Sequence, residues 1–216
     1  MTGKIPSGPV RKGARGRSQR SIVYDFVSRK MNGRVPYEST VERDLIIRME
    51  LDREITGFWA QPETFEWVQD GRRRRYTPDF LVHFFNGSSA YREVKPLAKW
   101  IEDWDFGGRR DEIERECAVR ESAFEIWTDG MIREQPMLSN ALTIVSELGP
   151  NLDERALASL RYVLKDGIPP TIADLLESAR LSTASIRSVF ALAAMLEISV
   201  DLSKPLGLHS RLFGAR

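Results

Sequence analysis

The sequence predicts an α/β (α+β) protein in which a mixed sheet is flanked by helices and followed by a small, mainly helical domain. Three observations support this fold class. Strand-like segments follow one another between residues 55 and 95, separated by Asp-Gly and Asn-Gly turn signals. A helical pattern precedes them, and a second helical pattern leads into one isolated strand-like segment. After Pro150, helical patterns dominate.

The first predicted helix begins at Ser39, a good N-cap residue, and extends to about Asp52. The strand-like segments that follow it are 55–60, 64–69, 73–76, 80–85 and 91–95. Gly107-Gly108 then opens a helix that extends to about residue 122, and a buried strand is predicted at 124–128. This order of helix, strands, helix and strand is typical of a sheet covered by helices.

The C-terminal part of the chain has the pattern of a winged-helix or helix-turn-helix module. Its predicted helices are 152–165, 171–179 and 183–196, followed by a strand at 198–202. The helix at 183–196 has one charged residue, Arg187, whereas a helix that reads the major groove needs polar and basic side chains. We therefore predict a module that docks a protein partner. The predicted organisation is a basic arm at 1–36, a sheet domain at 37–149 that ends in a connecting helix at 132–148, and the docking domain at 150–216.

Composition excludes several classes of protein. Hydrophobic residues make up 42% and charged residues 29% of the 216 residues, which excludes a wholly disordered chain. Neither a membrane span nor a secretory signal is recognised, so we expect a cytoplasmic protein with no membrane partner, associated with the nucleoid when bound to DNA. One Cys and two His exclude a cysteine-rich or histidine-rich metal site. Any metal ion is expected to be a hard cation held by carboxylates.

Positive charge is concentrated in two places. Residues 1–36 contain nine Lys or Arg and one acidic residue, whereas the rest of the chain has a net charge of −7. This arm predicts binding to nucleic acid, with a solvated tail as the alternative. Its central arginines are Arg15, Arg17 and Arg20. The second concentration is the run Arg72, Arg73, Arg74 and Arg75. This arginine run predicts contacts with a DNA backbone, with a solvated strand rim as the alternative.

The candidate chemistry lies in a Pro-Asp…Glu-x-Lys pattern formed by Asp79, Glu93 and Lys95. Residues two apart on a strand point to the same face, so Glu93 and Lys95 are neighbours. Two carboxylates on adjacent strands can hold Mg²⁺, which polarises a phosphodiester and makes water more acidic. Lys95 can orient or deprotonate that water, or stabilise the charge that develops on the phosphate. The alternatives are a turn-initiating Asp after Pro and an exposed ion pair.

The shared face constrains the turn between the two strands. Asp79 lies on the required face if it pairs with Lys95, which leaves a three-residue loop at 86–88. A regular two-residue Asn-Gly turn would place Asp79 opposite Val94, on the other face, unless a bulge intervened. We therefore predict a three-residue loop or a bulge.

Glu42 is the candidate for a third acid. It lies on the first predicted helix, and Ile46 and Met49 follow it at i+4 and i+7, so it is predicted to face inward. A carboxylate turned toward the core needs a partner, and a cation is one. The alternative is structural, because Ser39-x-x-Glu42 has the spacing of a capping box. The spacing alone leaves both interpretations open, and Glu38 and Glu50 are weaker alternates for the third acid.

Several stretches between about residue 37 and residue 145 occur in an informative order. They are Ser39-Thr40-Val41-Glu42-Arg43-Asp44-Leu45, Gln61-Pro62, Tyr76-Thr77-Pro78-Asp79-Phe80-Leu81-Val82, Glu93-Val94-Lys95-Pro96 and Phe124-Glu125-Ile126-Trp127-Thr128-Asp129. Together they resemble the N-terminal domain of TnsA endonucleases, one subunit of heteromeric, cut-and-paste DNA transposases. The order of the motifs is more specific than any short pattern. The helical tail is also similar to the C-terminal domain of that family.

The resemblance implies a restriction-endonuclease-like core of the PD-(D/E)xK type and cleavage of the 5′ strands at the ends of a transposon. It implies Mg²⁺ as cofactor, with Mn²⁺ able to substitute for it. By position, Glu42, Asp79 and Lys95 match the catalytic residues of the family, and Glu93 and the backbone carbonyl of Val94 match further metal ligands. The implied partners are double-stranded DNA, an integrase-like transposase subunit and an AAA+ ATPase regulator that docks on the C-terminal domain.

Two rival functions remain open at this stage. The first is a non-enzymatic DNA-binding or regulatory protein with a winged-helix tail, which would bind DNA in the presence of EDTA and never cleave it. The second keeps the nuclease but places it in phage or restriction biology.

Overall fold

A computed structural model of the protein describes residues 22–149, 152–181 and 186–214, and these residues form two compact units. The first unit comprises residues 22–46 and 54–132. The second comprises residues 47–53 and the described residues from 133 onward. Each unit has its own hydrophobic core, and each is described below by itself.

The first unit is built on a mixed four-stranded sheet. The elements up to Ile132 are β1 (Tyr24–Ser28), β2 (Gly33–Tyr37), α1 (Thr40–Leu51), β3 (Ile55–Ala60), β4 (Phe65–Gln69), β5 (Arg72–Tyr76), β6 (Phe80–Phe84), β7 (Ser89–Val94), α2 (Leu97–Glu102), α3 (Arg110–Val119), β8 (Ala123–Trp127) and α4 (Asp129–Ile132). The sheet order is β3-β6-β7-β8, and only the β7–β8 pair is parallel. The mixed sheet with flanking helices confirms the predicted fold class and is consistent with a restriction-endonuclease-like fold.

One face of this sheet carries an aromatic core. Tyr76, Leu81 and Tyr91 are buried there together with Phe65 and Phe106. Helix α3 covers the same cluster through its two buried residues, Ile113 and Cys117. Burial of several aromatic rings at one place fixes the strands that carry them, because each ring removes a large apolar area from water. This face also carries the candidate catalytic residues.

Two hairpins lie beside the sheet. Strands β4 and β5 pair through the Asp70-Gly71 turn, in which both residues have positive φ, as the sequence predicted. Strands β1 and β2 form a second hairpin, with Asn32 in the left-handed region. The sequence predicted a basic arm here and no hairpin, although Asn32-Gly33 is a turn signal.

The β6–β7 turn has the predicted loop length but not the predicted position. The N–H of Phe84 donates to the carbonyl of Ser88 at 2.9 Å, so the loop is Phe85-Asn86-Gly87 rather than residues 86–88. The register pairs Leu81 with Tyr91, which places Asp79 opposite Glu93 instead of Lys95. Moving both ends of the pairing by one residue conserves the face on which each side chain lies. The predicted common face is therefore retained.

The second unit is mainly helical and closes with a small antiparallel pair. Its elements after Ile132 are α5 (Met137–Ser146), α6 (Glu154–Leu164), α7 (Ile172–Ser178), α8 (Ile186–Ala194), β9 (Ile198–Val200) and β10 (Leu212–Gly214). A capping box of Thr171 and Asp174 starts α7. The mainly helical content agrees with the pattern of the sequence, and the winged-helix-like fold stays a prediction. The first residues of the predicted helix at 183–196 lie outside the described residues.

Helix α5 belongs to this second unit. Its Ile144 lies in the same core as Leu157 and Leu192, and the side-chain amide of Asn140 donates to the carbonyls of Leu202 and Lys204. For this reason the units divide after Ile132, upstream of the boundary predicted near residue 149. The three-part organisation at 1–36, 37–149 and 150–216 stays a prediction.

Helix α8 is a core helix. Every residue from Ser188 to Ala194 is buried, and the charged Arg187 at its start pairs with Glu147 at 2.9 Å. None of the helices in residues 22–149, 152–181 and 186–214 is long and apolar enough to span a bilayer.

Candidate active site

The carboxylate of Asp79 reaches from the start of β6 to the end of β7. Asp79 follows β5 through the short Thr77-Pro78 connection, and its Oδ2 accepts a 2.7 Å hydrogen bond from the backbone N–H of Val94. Its own carbonyl accepts a 2.7 Å bond from the N–H of Gln61. Hydrogen bonds from N–H groups to a carboxylate are charge-assisted and strong. The backbone and the side chain of Asp79 are thus both tied to neighbouring segments.

Glu93 lies across from Asp79 and is held by a tyrosine. The hydroxyl of Tyr76 donates a 2.6 Å hydrogen bond to Oε2 of Glu93. Burial, together with the negative charges of Glu93 and Asp79, raises the pKa of Tyr76, so its hydroxyl stays a proton donor at every physiological pH. Both carboxylates therefore lie within electrostatic reach of one phenol.

Lys95 extends the same face by two residues. Its N–H donates to the carbonyl of Trp127, which continues the parallel pairing of β7 with β8. Its Nζ donates to the carbonyl of Asp103 at 2.8 Å and to Oδ2 of Asp103 at 3.0 Å, and lies 4.1 Å from the centre of the Phe106 ring. The Phe106 ring in turn packs against Tyr76. The lysine and Glu93 are thus connected through one aromatic cluster.

Asp103 is held in turn by the loop between α2 and α3. Its Oδ1 accepts a 2.7 Å bond from the N–H of Gly107, and Phe106 and Gly107 both have positive φ. The hydrogen bond from Lys95 is the main cause that lowers the pKa of Asp103. The loop therefore provides a fixed anion next to the candidate catalytic amine.

Glu42 caps the start of α1 in a variant of the capping box, because its side chain binds the N–H of Glu38 rather than that of the N-cap residue Ser39. Its two carboxylate oxygens accept bonds from the N–H of Glu38 at 2.9 Å and from the hydroxyl of Ser39 at 2.8 Å, and its N–H donates to Ser39. Gln61 connects this helix start to Asp79, because its side chain donates to Glu38 and its N–H to the Asp79 carbonyl. The structural interpretation that the sequence left open is therefore realised, and the metal-ligand role of Glu42 stays a prediction.

The carboxylates of Asp79 and Glu93 fit a magnesium ion whose remaining ligands are water and substrate phosphate. In residues 22–149, 152–181 and 186–214, no three His, Cys, Asp or Glu side chains are grouped so that they could hold an ion. Asp79 and Glu93 are two carboxylates on one face. Mg²⁺ in enzymes that act on phosphates is commonly held by one or two carboxylates, with water and substrate phosphate completing its shell. The pair fits that mode of binding, and the carbonyl of Val94 remains a predicted additional ligand.

Strand pairing divides the arginine run between two faces. Arg73 and Arg75 lie opposite Val68 and Glu66, and Arg75 pairs with Glu66 at 2.9 Å. Arg72 and Arg74 lie on the other face, with Gln69 and Trp67. Gln69 donates to the carbonyl of Gly108, so this second face is directed toward the loop that holds Lys95. Arg15, Arg17 and Arg20, by contrast, lie outside the described residues.

Sequence reasoning missed three residues that hold the candidate catalytic groups. Tyr76, Asp103 and Phe106 were not singled out. For Tyr76 a signal existed: it is the one residue of its strand that is not an arginine, and it stands directly before the Thr-Pro-Asp stretch. For Asp103 and Phe106 no signal existed, because their contacts depend on a loop with left-handed residues.

The first unit thus combines a sheet that is consistent with a restriction-endonuclease-like fold with two carboxylates and a lysine on one face. Residues 52–129 match the family model described as TnsA-like endonuclease N terminal. This match confirms, for the segment that it covers, the resemblance drawn from the motifs. The matched segment contains Asp79, Glu93 and Lys95, whereas Glu42 precedes it. Among curated proteins, no match to the chain was found.

Proposed function

We propose that the protein is a Mg²⁺-dependent DNA endonuclease subunit of a heteromeric transposase, and that it cleaves the 5′ strands at the transposon ends. The observation that supports this most is the common face shared by Asp79 and Glu93, next to Lys95, inside the matched segment. Two carboxylates that hold a metal ion, with a lysine beside them, can support metal-assisted hydrolysis of a phosphodiester without an imidazole or a thiol.

In this proposal Asp79 and Glu93 hold the ion, together with the carbonyl of Val94 and, as the resemblance implies, Glu42. When bound, Mg²⁺ supplies charge stabilisation at the scissile phosphate and makes the attacking water more acidic. Mn²⁺ is expected to substitute, because it shares the preference of Mg²⁺ for oxygen ligands. The hydrogen bonds from Val94 N–H and the Tyr76 hydroxyl hold the two carboxylates in place for this task.

Lys95 acts on the phosphate side of the reaction. Lys95 lies on the same strand face as Glu93, and in this proposal its amine stabilises the negative charge that develops on the phosphate oxygens or orients the water. Its side chain is only 12% exposed, so this charge interacts in a partly desolvated site. Asp103 and the Phe106 ring set the direction from which the amine approaches.

Different parts of the chain are proposed to bind different partners. The arginine run lies on a hairpin that leads directly into Asp79, so phosphate contacts there would bring a DNA backbone to the site. The basic arm adds further phosphate contacts. An integrase-like transposase subunit would cleave and join the 3′ ends, and the AAA+ ATPase regulator would dock on residues 150–216. Because α8 is buried within its own core, it is poorly suited to reading bases.

The test combines the full chain with its transposase partner, DNA that carries both transposon ends, and Mg²⁺, and maps the breaks on each strand. We expect Asp79→Asn and Lys95→Met to remove the 5′ breaks and to retain the 3′ breaks. Asp111→Asn, an exposed acid on α3, serves as the matched control and should cleave like the unmodified chain. Persistent 5′ breaks with folded Asp79→Asn would contradict the proposal. DNA binding that survives EDTA, with no 5′ breaks under any condition, would favour the non-enzymatic function instead.

A further inference from the structure

The phenol of Tyr76 is fixed on three sides. Its ring centre lies 6.1 Å from that of Phe65, 6.2 Å from that of Phe106 and 6.2 Å from that of Phe124. The residue as a whole is 9% exposed. A ring packed in this way has little rotational freedom, so its hydroxyl points in one fixed direction.

That direction is toward Glu93. The 2.6 Å hydrogen bond between the Tyr76 hydroxyl and Oε2 of Glu93 is short, as expected for a donor bound to a charged acceptor. A carboxylate has about four lone-pair positions on its two oxygens, and the bond from Tyr76 uses one of them. The hydroxyl therefore restrains the rotation of the carboxylate without occupying its whole coordinating capacity.

Tyr76 also lies at the end of β5, three residues before Asp79. Thr77, which follows it, is fixed by a 2.8 Å hydrogen bond between its hydroxyl and that of Thr64. The segment from Tyr76 to Asp79 thus positions the Asp79 carboxylate through its backbone and orients the Glu93 carboxylate through the Tyr76 side chain. A change in the position of Tyr76 would be transmitted to both.

We infer that Tyr76 is a positioning residue for the metal site, acting through Glu93. The inference rests on the proposed function, because it assigns Glu93 to the divalent ion. Partners that hold metal ligands from outside the coordination shell typically contribute 10-fold to 100-fold to metal affinity, and each ligand must be presented in one orientation. Tyr76→Phe keeps the packed ring and removes only the oxygen.

Tyr91 provides a matched control. It is 2% exposed, lies on the same face, and donates a hydrogen bond of the same 2.6 Å length to a carboxylate, that of Glu63. Glu63 belongs to a different network, in which Arg120 also binds it at 2.9 Å. Tyr91→Phe therefore removes an equivalent bond from the same core without touching the candidate metal ligands.

The experiment titrates Mn²⁺ into the full chain and measures the unbound ion by electron paramagnetic resonance. Thermal melting of each variant reports folding. In Tyr76→Phe we expect the dissociation constant for Mn²⁺ to rise about tenfold, and the Mn²⁺ concentration for half-maximal cleavage to rise with it. The rate at saturating Mn²⁺ should stay within a few-fold of the original. Tyr91→Phe should bind Mn²⁺ like the unmodified chain.

Equal Mn²⁺ affinity in Tyr76→Phe and the unmodified chain would overturn the inference and leave the proposed function intact. Equal weakening in both phenylalanine variants would overturn it as well, because the effect would then come from the core in general. If the unmodified chain binds no Mn²⁺ and Asp79→Asn makes no difference, the proposed metal site itself fails, and the inference with it.

Discussion

The backbone N–H of Val94 and the carboxylate of Asp79 are joined by a 2.7 Å hydrogen bond. This bond crosses between β6 and β7 at the point where the paired part of β6 begins, one residue after the Pro-Asp dipeptide. The strand register places Asp79 opposite Glu93 on one face of the sheet. Each of the two carboxylates is oriented by a hydrogen bond of its own, from the Val94 N–H and from the Tyr76 hydroxyl, and a metal site needs ligands that are oriented in this way.

Glu42 can be tested for a role beyond capping, since Gln also serves at that position of a capping box. We expect Glu42→Gln to melt like the unmodified chain and to lose cleavage, because it keeps the cap and removes the charge that a metal ion would need. Glu42→Ala should lose cleavage and also the cap. Loss of the cap should lower the free energy of unfolding by about 1 kcal/mol. Chemical denaturation and strand-cleavage assays measure the two effects. Cleavage by Glu42→Gln at the original rate would leave Glu42 with only its structural role.

The arginine run is predicted to bind phosphates rather than bases. Replacing the exposed Arg72 and Arg73 with Gln should weaken binding to all duplex sequences alike. The slope of log affinity against log salt should become shallower by about 0.9 for each phosphate contact that is lost. Fluorescence anisotropy at several salt concentrations measures this slope. Arg187→Gln removes an exposed charge on α8 and is the control, for which we expect no change in DNA affinity or in the salt slope. A larger loss of affinity in Arg187→Gln than in the arginine-run variant would contradict the assignment.

The contact between Lys95 and Asp103 has a signature in titration. Because the lysine lowers the pKa of Asp103, the ion pair contributes stability above the ordinary pKa of 3.8 and loses it as the pH falls through the lowered value. In Lys95→Met, carboxyl-carbon NMR should show the pKa of Asp103 moving up toward the ordinary value. The pKa of Asp201, lowered mainly by Ser203, should stay where it is. If the pKa of Asp103 is the same in Lys95→Met as in the unmodified chain, the Lys95 amine does not bind Asp103 in solution.

The sheet could be predicted from the sequence because its strands alternate and its turns are explicit. The Asp70-Gly71 and Asn86-Gly87 signals separated β4 from β5 and β6 from β7 within a residue or two. The face that carries the candidate catalytic residues was predictable for a different reason. Alternation depends only on whether the register is even or odd, so placing the β6–β7 loop one residue late moved the partner of Asp79 but not the face of Asp79.

Other features depend on tertiary contacts that leave no local pattern. The contacts of Lys95 with Asp103 and Phe106 depend on a loop in which Phe106 has a left-handed conformation. Nothing in the residue type of Phe106 predicts that conformation. The division of the units after Ile132 depends on Asn140 reaching the loop after β9, whereas the composition changes near residue 149. The β1–β2 hairpin was missed for another reason, because the concentration of positive charge in residues 1–36 suggested an arm and obscured the Asn32-Gly33 turn.

The central claim is that Asp79 and Glu93 together hold one divalent ion, and anomalous diffraction from crystals of the full chain soaked in Mn²⁺ tests it most directly. We expect one anomalous peak within coordination distance, about 2.1 Å, of an oxygen from each carboxylate, and its loss in crystals of Asp79→Asn. A fully soaked crystal whose Mn²⁺ peaks all lie elsewhere, with the same peaks in Asp79→Asn, would contradict the claim.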